Sequence, residues 1–451
     1  MNDEASYKIT FTNEQIFALV WPLIADQLLA IAVGMADSLM VAQVGDAAIS
    51  AVSLVDAISA LMIMLFSAMA VGGSAVAGQY IGRREHENAR QSCQHLVILM
   101  ILVSAAITGL LYIFKYFILH TIYGQIAPDI MAATDKYYSI VMASIPGIAL
   151  YNAGAAIFRS MKKTDIALKV SLLMNIINVA GNALLIFVFH MDVAGVAIPT
   201  LVSRTVAGVL ITAMLFNEDL SLNLCGITHF RLRPELMKNI FYISVPSGIE
   251  NGTFHFGRLI IFSLVSTLGT ASIVANAIGN TMGNFHLCIG VGVNLGIVTL
   301  VSQCVGAGDY TAARAYAGKM IRLTFVSQLI LNIALALLMP FILDVYGVSD
   351  EARRLAMSVV LLHGAASATT WIPAFQIPSI LRAAGDARFT MYVSMLTMWL
   401  GRILSAFIFV KVFHLGLVSI WFAHAIIDWI ARTVIFTWRY RGNAWQTKAI
   451  K

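Results

Sequence analysis

The chain has 451 residues, of which 59% are hydrophobic and 12% charged, and its mean hydropathy is +0.83. Soluble domains carry about 25% charged residues, so this composition excludes a soluble globular protein and indicates a polytopic membrane protein. The net charge of +6 does not indicate nucleic-acid binding, because the basic residues concentrate in one set of loops. Four cysteines without ligand spacing predict neither a disulfide framework nor a metal site.

Hydropathy predicts twelve membrane-spanning helices, each long enough to cross a bilayer. They lie at residues 15–41, 48–80, 93–118, 137–158, 168–189, 193–216, 239–266, 273–305, 320–343, 355–381, 390–412 and 415–438. Of the 29 lysines and arginines, 20 fall in the termini and the even-numbered loops, and only five in the odd-numbered loops. The positive-inside rule therefore predicts a cytoplasmic (inner) membrane protein with both termini cytoplasmic. The first span follows the terminus directly, so we expect it to stay as an anchor rather than a cleaved signal peptide.

The first predicted span carries two acidic residues, Asp26 and Asp37. They are 11 residues apart and therefore share one helix face. A carboxylate at membrane depth costs roughly 2.5 to 3.5 kcal/mol on insertion scales, so this face is expected to line a bundle interior or a wet cavity that serves ions, protons or substrate. A neutralised, purely structural carboxylate is the alternative, and it has more weight for Asp26. Thr12 and Gln15 predict a capping box at the start of this helix.

The two halves of the chain repeat each other. A constant offset of 224 residues pairs Pro22 with Pro246, Asp26 with Glu250, and Gln79 with Gln303, and an offset of 223 later pairs Arg159 with Arg382 and Ser171 with Ser394. Six helices per repeat make the repeats parallel, related by an axis along the membrane normal. We therefore predict an all-α fold of twelve transmembrane helices in two six-helix lobes related by a parallel pseudo-two-fold repeat. The expected N lobe is 1–216, the cytoplasmic linker 217–238 and the C lobe 239–451, an architecture typical of alternating-access transporters.

Several of these motifs resemble the MATE family, the multidrug and toxic compound extrusion transporters. They are Asp37-x7-Gly45, Gln79-x2-Gly82 repeated at Gln303-x2-Gly306, Arg159 and Arg382 after the fourth and tenth spans, and Asn175-x2-Asn178 in the fifth. The resemblance covers nearly the whole chain. It implies export of amphipathic, often cationic organic compounds, driven by inward flow of Na⁺ or H⁺ without ATP. The other transporters with parallel repeats, the major facilitator superfamily, have a basic loop signature that is absent here.

The resemblance also implies a site in the N lobe. Asp37 matches the acid that the family uses for cation or proton coupling, and Tyr138 and Thr200 match residues that line that site. Around Asp37 we expect a polar stripe on the fifth span, formed by Asn175, Asn178 and Asn182. Amide oxygens can coordinate Na⁺ or hold a carboxyl group, although interhelical hydrogen bonding without a further role is the alternative. Many family members carry an aspartate where Asn182 stands, so the coupling here depends more heavily on Asp37.

The C lobe leaves more alternatives open. Glu250 is either a secondary acid or substrate contact, in a set with Asp26 and Asn175, or a structural twin of Asp26. Asp428 and Arg432 are four residues apart and are expected to form a buried ion pair. The arginines within other spans also need partners, for which Asp26 and Asp56 are candidates; these arginines are Arg204, Arg258 and Arg402.

The sequence contains none of three common enzyme motifs, since it lacks a Walker sequence, a complete dinucleotide loop and an HExxH pair. We therefore expect a monomeric ion-coupled antiporter that is not an enzyme. Its expected partners are small-molecule substrates and the lipid bilayer but no nucleic acid, and it needs no cofactor beyond a possible bound Na⁺ at Asp37, or H⁺. A lipid-linked precursor flippase of the same superfamily is the alternative.

Overall fold

The computed structural model describes residues 9–124, 126–227 and 231–450. The helices are α1 (Asn13–Ala42), α2 (Asp46–Gly82), α3 (His86–Ile113), α4 (Pro128–Met142), α5 (Ile145–Ser160), α6 (Thr164–Val188), α7 (Ala194–Met214), α8 (Pro234–Ser266), α9 (Thr270–Gly306), α10 (Tyr310–Tyr346), α11 (Asp350–Ala368), α12 (Trp371–Ala383), α13 (Ala387–Val412) and α14 (Leu417–Arg441). Helices α6, α13 and α14 include π-helical turns, among them Thr397–Leu404 and Ala423–Asp428.

The helices account for the twelve predicted crossings. In the part of the chain that the structure describes, nine helices are long and apolar enough to span a membrane, and two bent pairs, α4 with α5 and α11 with α12, each make one more. Helix α8 is the twelfth; its 33 residues exceed the required length, but polar side chains such as Glu250 and Arg258 make it less apolar than the others. The prediction of an all-α, twelve-helix membrane protein is confirmed.

The spans predicted at residues 137–158 and 355–381 are each formed by two helices. The chain bends by 41° between α4 and α5 and by 44° between α11 and α12. Pro146 and Pro373 lie just after these breaks. Proline removes a backbone donor and disfavours helical geometry in the residue before it, which explains why the helices are interrupted there.

Large apolar side chains remain exposed along the outer faces of the helices. Phe17 is 64% exposed, Leu39 70%, Leu337 76% and Val345 74%. Such extensive exposure of large apolar side chains would be an aggregation liability in a soluble monomer, whereas it suits helices that face lipid. The chain is therefore a multi-pass membrane protein.

By internal contacts the described chain divides into two compact units. The first, here the N-lobe unit, consists of Thr12–Tyr80 and Glu85–Phe241. Its helix α1 begins with the predicted capping box, since the Thr12 side chain accepts from Gln15 N and the Gln15 side chain accepts from Thr12 N. Helices α5 and α7 pack closely because Gly208 lies against the Gly147 carbonyl, where any side chain would collide.

The second, here the C-lobe unit, contains Ile81–Arg84 and Tyr242–Lys451. Its interior is rich in aromatic rings, and Trp429 and Trp371 are among its most deeply buried side chains. His363 packs edge-on against Trp429, with ring centroids 5.3 Å apart, and its Nδ1 lies 2.8 Å from His286 Nδ1. These contacts fix α9, α11 and α14 against one another.

Candidate functional site

A cavity of about 510 Å³ lies inside the N-lobe unit, between α1, α2, α4, α5, α6 and α7. Apolar side chains form much of its wall, as is usual for small-molecule sites. The charged and polar groups that line it are Asp37, Ser38, Ser53, Asp56, Tyr137, Asn175, Asn178, Thr200, Ser203 and Arg204. This cavity collects most of the residues that the sequence assigned to a coupling site.

The Asp37 carboxylate is held by two amides of α6. Asn182 Nδ2 donates to Asp37 Oδ1 over 2.9 Å. The hydrogen-bond network assigns the Asn178 amide nitrogen to the Asp37 side, 3.0 Å from both carboxylate oxygens, and the amide oxygen to the Thr200 side, 3.2 Å from Oγ1. Asn182 is fully buried and Asn178 nearly so. The carboxylate therefore meets donors directed from two successive turns of one helix.

Asp56, Tyr137 and Arg204 complete the polar wall, and the sequence reasoning did not place them there. The Tyr137 hydroxyl donates to Asp56 Oδ1 over 3.3 Å. Arg204 Nη1 donates to the hydroxyls of Ser59 and Ser144, over 3.1 Å and 3.0 Å. Two carboxylates thus share the cavity with one guanidinium, which leaves it one positive charge short of neutrality.

The other predicted residues of the N lobe lie in different surroundings. Asn175 lines the same cavity, but its amide donates to the Ser171 carbonyl over 2.9 Å rather than to an acid. Tyr138 lies outside the cavity wall, since its hydroxyl donates to the Leu111 carbonyl over 2.8 Å. Asp26 is apart from Asp37, and its polar neighbours are Ser171 and Arg159.

In the C-lobe unit, Glu250 forms an ion pair with Arg382, with Arg382 Nη1 3.1 Å from Glu250 Oε2. Ser394 Oγ donates to the other carboxylate oxygen over 2.6 Å. These partners are the repeat counterparts of Arg159 and Ser171 beside Asp26, so the two acids occupy equivalent surroundings in the two units. Neither of them contributes to the cavity that holds Asp37.

The predicted ion pair between Asp428 and Arg432 is confirmed. Arg432 Nε lies 2.7 Å from Asp428 Oδ1, and both side chains are fully buried. Arg432 also donates to Ser394 Oγ and to the Ser394 carbonyl, over 3.1 Å and 3.0 Å, and its guanidinium stacks 4.5 Å from the centroid of the Phe254 ring. The pair and its hydrogen bonds form a structural network that ties α14 to α13 and α8.

One signal in the sequence could have found Asp56 and Arg204. Each is a charged residue within an apolar span, and such residues normally face a bundle interior. Tyr137 carries no comparable signal. Positions 137 and 138 are both tyrosines, so the residue type does not show which of the two faces the cavity. Which spans pack together decides which of these side chains meet, and hydropathy does not contain that information.

Comparisons with known proteins agree with this fold and with the repeat. The MatE family model matches the chain twice, over residues 22–184 and 246–408, an offset of 224. An uncharacterized transporter, YisQ of Bacillus subtilis, is 24% identical over 96% of this chain and 95% of its own length. A probable multidrug resistance protein, NorM of Thermotoga maritima, is 21% identical over 97% and 94%.

Solved structures give the same fold. One, described as the outward-facing conformation of a multidrug resistance MATE family transporter of the MOP superfamily, matches with a TM-score of 0.90 at 19% identity, covering 96% of each chain. The two matched segments of the family model span well over half of the residues. The chain belongs to the MatE family, whose members are transporters rather than enzymes.

Proposed function

We propose that this protein is an ion-coupled antiporter that exports amphipathic, often cationic organic compounds by alternating access, with Asp37 as the coupling residue. The observation that carries the proposal is the Asp37 carboxylate, held by Asn178 and Asn182 inside a cavity with an excess of negative charge. Relatives named as multidrug resistance and multidrug export proteins support the substrate class.

The charge balance supports cation uptake at this position. Asp37 and Asp56 share the cavity with one arginine, Arg204, so among the described lining residues the acidic charges outnumber the basic ones by one. A lone carboxylate at membrane depth costs roughly 2.5 to 3.5 kcal/mol, which binding of H⁺ or Na⁺ would relieve. In addition, Asn182 Oδ1 is buried and has no hydrogen-bond partner in the described part of the chain. An acceptor oxygen left open beside a carboxylate suits a bound cation, since Na⁺ takes oxygen ligands.

The Asn178 side chain can serve both states of the site. When Asp37 is ionised, the amide nitrogen donates to the carboxylate, 3.0 Å away. When Asp37 carries a proton, the amide can turn over so that its oxygen accepts from the carboxyl group and its nitrogen donates to Thr200 Oγ1, 3.2 Å away. Thr200 Oγ1 in turn lies 3.0 Å from the Val196 carbonyl. Protonation of Asp37 on α1 thereby changes the hydrogen bonds of Asn178 on α6 and of Thr200 on α7.

These hydrogen bonds between α1, α6 and α7 allow ion binding at Asp37 to affect the conformation of the protein. A ligand shifts a conformational equilibrium only by its differential affinity for the two states. Rearrangement of α1 against α6 and α7 would change the donors around Asp37, and with them its affinity for a cation. The cavity volume of about 510 Å³ is within the usual range of 300 to 1,000 Å³ for drug-sized ligands, so the same cavity has room for an organic substrate.

We place the chain in the cytoplasmic (inner) membrane and expect it to act as a monomer. The charge asymmetry of its loops supports a cytoplasmic position for both termini and for the linker 217–238. Its partners are small-molecule substrates and lipid, and it uses H⁺ or Na⁺ rather than an enzymatic cofactor.

The decisive experiment is transport by the purified protein in proteoliposomes, with a fluorescent cationic dye and an imposed Na⁺ or pH gradient. We expect one of the two gradients to drive dye against its concentration gradient. Asp37→Asn keeps the size of the side chain but removes its charge, so it should remain folded and lose gradient-driven export. A lipid-linked precursor flippase would leave the dye where it is under either gradient.

Asp165→Asn is the matched control. Asp165 pairs with Lys169 on an exposed face of α6 and lies outside the cavity, so its loss should leave export near the wild-type rate. Export by Asp37→Asn at near the wild-type rate would refute the assignment of Asp37.

A further inference from the structure

A second, smaller cavity lies in the C-lobe unit, and its polar lining is basic. It has a volume of about 50 Å³ and lies between α8, α9, α13 and α14. The polar groups that line it are Arg258, Asn276, Asn280, Arg402, Trp421 and His424. None of the described residues that line it is acidic. From this lining we propose that the cavity is an anion site, which takes one small oxyanion group such as a phosphate or a carboxylate.

Arg402 is the group that most requires a ligand. Arg402 is only 9% exposed, yet its Nε atom has no hydrogen-bond partner among the residues that the structure describes. A buried polar group without a partner costs roughly 1 to 3 kcal/mol, and more when it is charged. Arg402 therefore presents unused donors to the cavity from inside the protein.

The charges around Arg402 do not balance. Its electrostatic neighbours are Asp428, Arg258 and Arg432, and Asp428 is already paired with Arg432 over 2.7 Å. Within the part of the chain that the structure describes, neither Arg258 nor Arg402 lies within ion-pair distance of a carboxylate. Three guanidiniums thus share a single carboxylate, and a bound anion would supply the missing charge.

The remaining groups fit an oxyanion. Guanidinium forks match carboxylate and phosphate oxygens in bidentate geometry. Arg258 is exposed at the surface of α8, whereas Arg402 is buried, so the two can approach an anion from the surface side and from the interior side of the cavity. Asn276 Oδ1 accepts from Trp421 Nε1 over 3.1 Å, which leaves the Asn276 NH₂ group as a further donor. These three donors are contributed by three different helices.

The size of the cavity limits what it binds. One water requires roughly 10 to 15 Å³ on the same measure, so about 50 Å³ holds a group of a few heavy atoms rather than a drug-sized molecule. The anion is therefore either a free inorganic ion or the acidic group of a larger molecule that reaches in from the open side. Two guanidiniums favour a doubly charged phosphate over a carboxylate.

The internal repeat shows that this cavity is the counterpart of the one around Asp37. The offset of 224 carries Gly34 to Arg258, Val52 to Asn276, and Asp56 to Asn280, and the later offset of 223 carries Val179 to Arg402. At these positions two apolar residues of the first unit correspond to arginines in the second, and the acid Asp56 corresponds to the neutral Asn280. Among the described residues, the charged side chains that line the first cavity are two acids and one arginine, whereas those that line the second are both arginines.

The test is equilibrium binding to the purified full-length protein without any gradient, so it does not depend on the proposed antiport. Potassium phosphate and, separately, a small phosphate monoester are titrated against matched potassium chloride, and the readouts are tryptophan fluorescence, which Trp421 in the wall should report, and the melting temperature. We expect saturable binding that weakens at least tenfold in Arg402→Gln and recovers in part in Arg402→Lys. Arg322→Gln, which changes an exposed arginine, is the control and should bind like the wild type.

Asn280→Asp gives a second, independent variant. It places in the C-lobe unit the carboxylate that Asp56 provides in the other unit, so it should neutralise the arginines from within, raise the melting temperature and weaken phosphate binding at least tenfold. Binding of phosphate alone would identify a free-anion site, and binding of the ester as well would identify a site for ligand-borne phosphate. Absence of saturable binding by both, or unchanged affinity in Asn280→Asp, would overturn the proposal.

Discussion

Asn182 Nδ2 donates a hydrogen bond to Asp37 Oδ1 over 2.9 Å, between residues 145 positions apart in the chain. The bond joins α6 to α1, two helices that pack along each other. A hydrogen bond to a charged group contributes roughly 1.5 to 3 kcal/mol. A change in the charge of Asp37 therefore changes the interaction between these helices by an amount large enough to shift a conformational equilibrium.

Replacing Asn182 with leucine tests this bond. Asn182→Leu keeps the approximate volume but removes the donor to Asp37, so we expect gradient-driven dye export to fall about tenfold, equivalent to roughly 1.4 kcal/mol. The comparison variant is Asn175→Leu on the same helix, whose amide contacts Ser171 rather than an acid. It should lose less than Asn182→Leu. Equal losses in both variants would show that the polar stripe, and not its bond to Asp37, is what matters.

The ion pair between Glu250 and Arg382 is predicted to support the fold rather than the coupling. Glu250→Gln leaves Arg382, only 17% exposed, without its anionic partner, which for a buried pair costs roughly 3 to 5 kcal/mol. We therefore expect a clearly lower melting temperature in detergent, whereas Asp37→Asn should melt close to the wild type.

The double variant Glu250→Gln/Arg382→Gln distinguishes the loss of the ion pair from the cost of leaving one buried charge unpaired. The double variant no longer contains the unpaired charge of Arg382, so its melting temperature should be higher than that of Glu250→Gln. A Glu250→Gln protein that melts like the wild type and yet fails to export would instead assign Glu250 to the coupling machinery.

The sequence was most informative where charge and hydrophobicity conflict. Asp37 was found because an acid in an apolar span is costly, and Asn178 and Asn182 were found because the helical period places them on one face of α6. Asp56 and Arg204 were seen as charged but not placed, since placement depends on how α2 and α7 pack, which no local pattern states.

Tyr137 and Tyr138 show how an error of one residue in the predicted site changes the surface that a side chain faces. Adjacent residues of a helix point about 100° apart, so an error of one residue moves a side chain from the cavity to another surface. Tyr137 contacts Asp56, whereas Tyr138 contacts Leu111. Hydropathy does not show the bends at Pro146 and Pro373, because both halves of each bent span are apolar, and the signal for them in the sequence is the prolines themselves.

The topology is testable at Lys162, in the turn between α5 and α6. The charge asymmetry of the loops predicts that this turn is cytoplasmic, so Lys162→Cys should react with an impermeant maleimide only after the membrane is opened. His190→Cys, in the turn before α7, is the control and should react in intact cells. A Cys225→Ser background removes the one native cysteine that is not buried. Labelling of Lys162→Cys in intact cells would show that the chain has the opposite orientation in the membrane.

The ion pair between Asp192 and Lys136 makes a pH-dependent contribution to stability. Lys136 Nζ lies 2.7 Å from Asp192 Oδ2, and the backbone N–H of Ala194 donates to Oδ1 over 3.0 Å. The hydrogen bond from Lys136, followed by that from Ala194, lowers the pKa of Asp192 below its usual value of 3.8. Because the folded state has the lower pKa, the stabilisation is complete above the unfolded pKa and is lost as the pH falls through the folded one.

We therefore expect Asp192→Asn to lower stability at pH 7 by less than about 1 kcal/mol, since the side chains of both partners are about half exposed and the pair is screened by water and salt. Melting curves should show this difference shrinking as the pH falls below about 4, where Asp192 takes up a proton in the unfolded and then in the folded state. Lys136→Met removes the ion pair but keeps the bond from Ala194 to Asp192, so it should cost less than Asp192→Asn. A difference between wild type and Asp192→Asn that is unchanged from pH 7 to pH 3 would mean that the carboxylate contributes nothing through its charge.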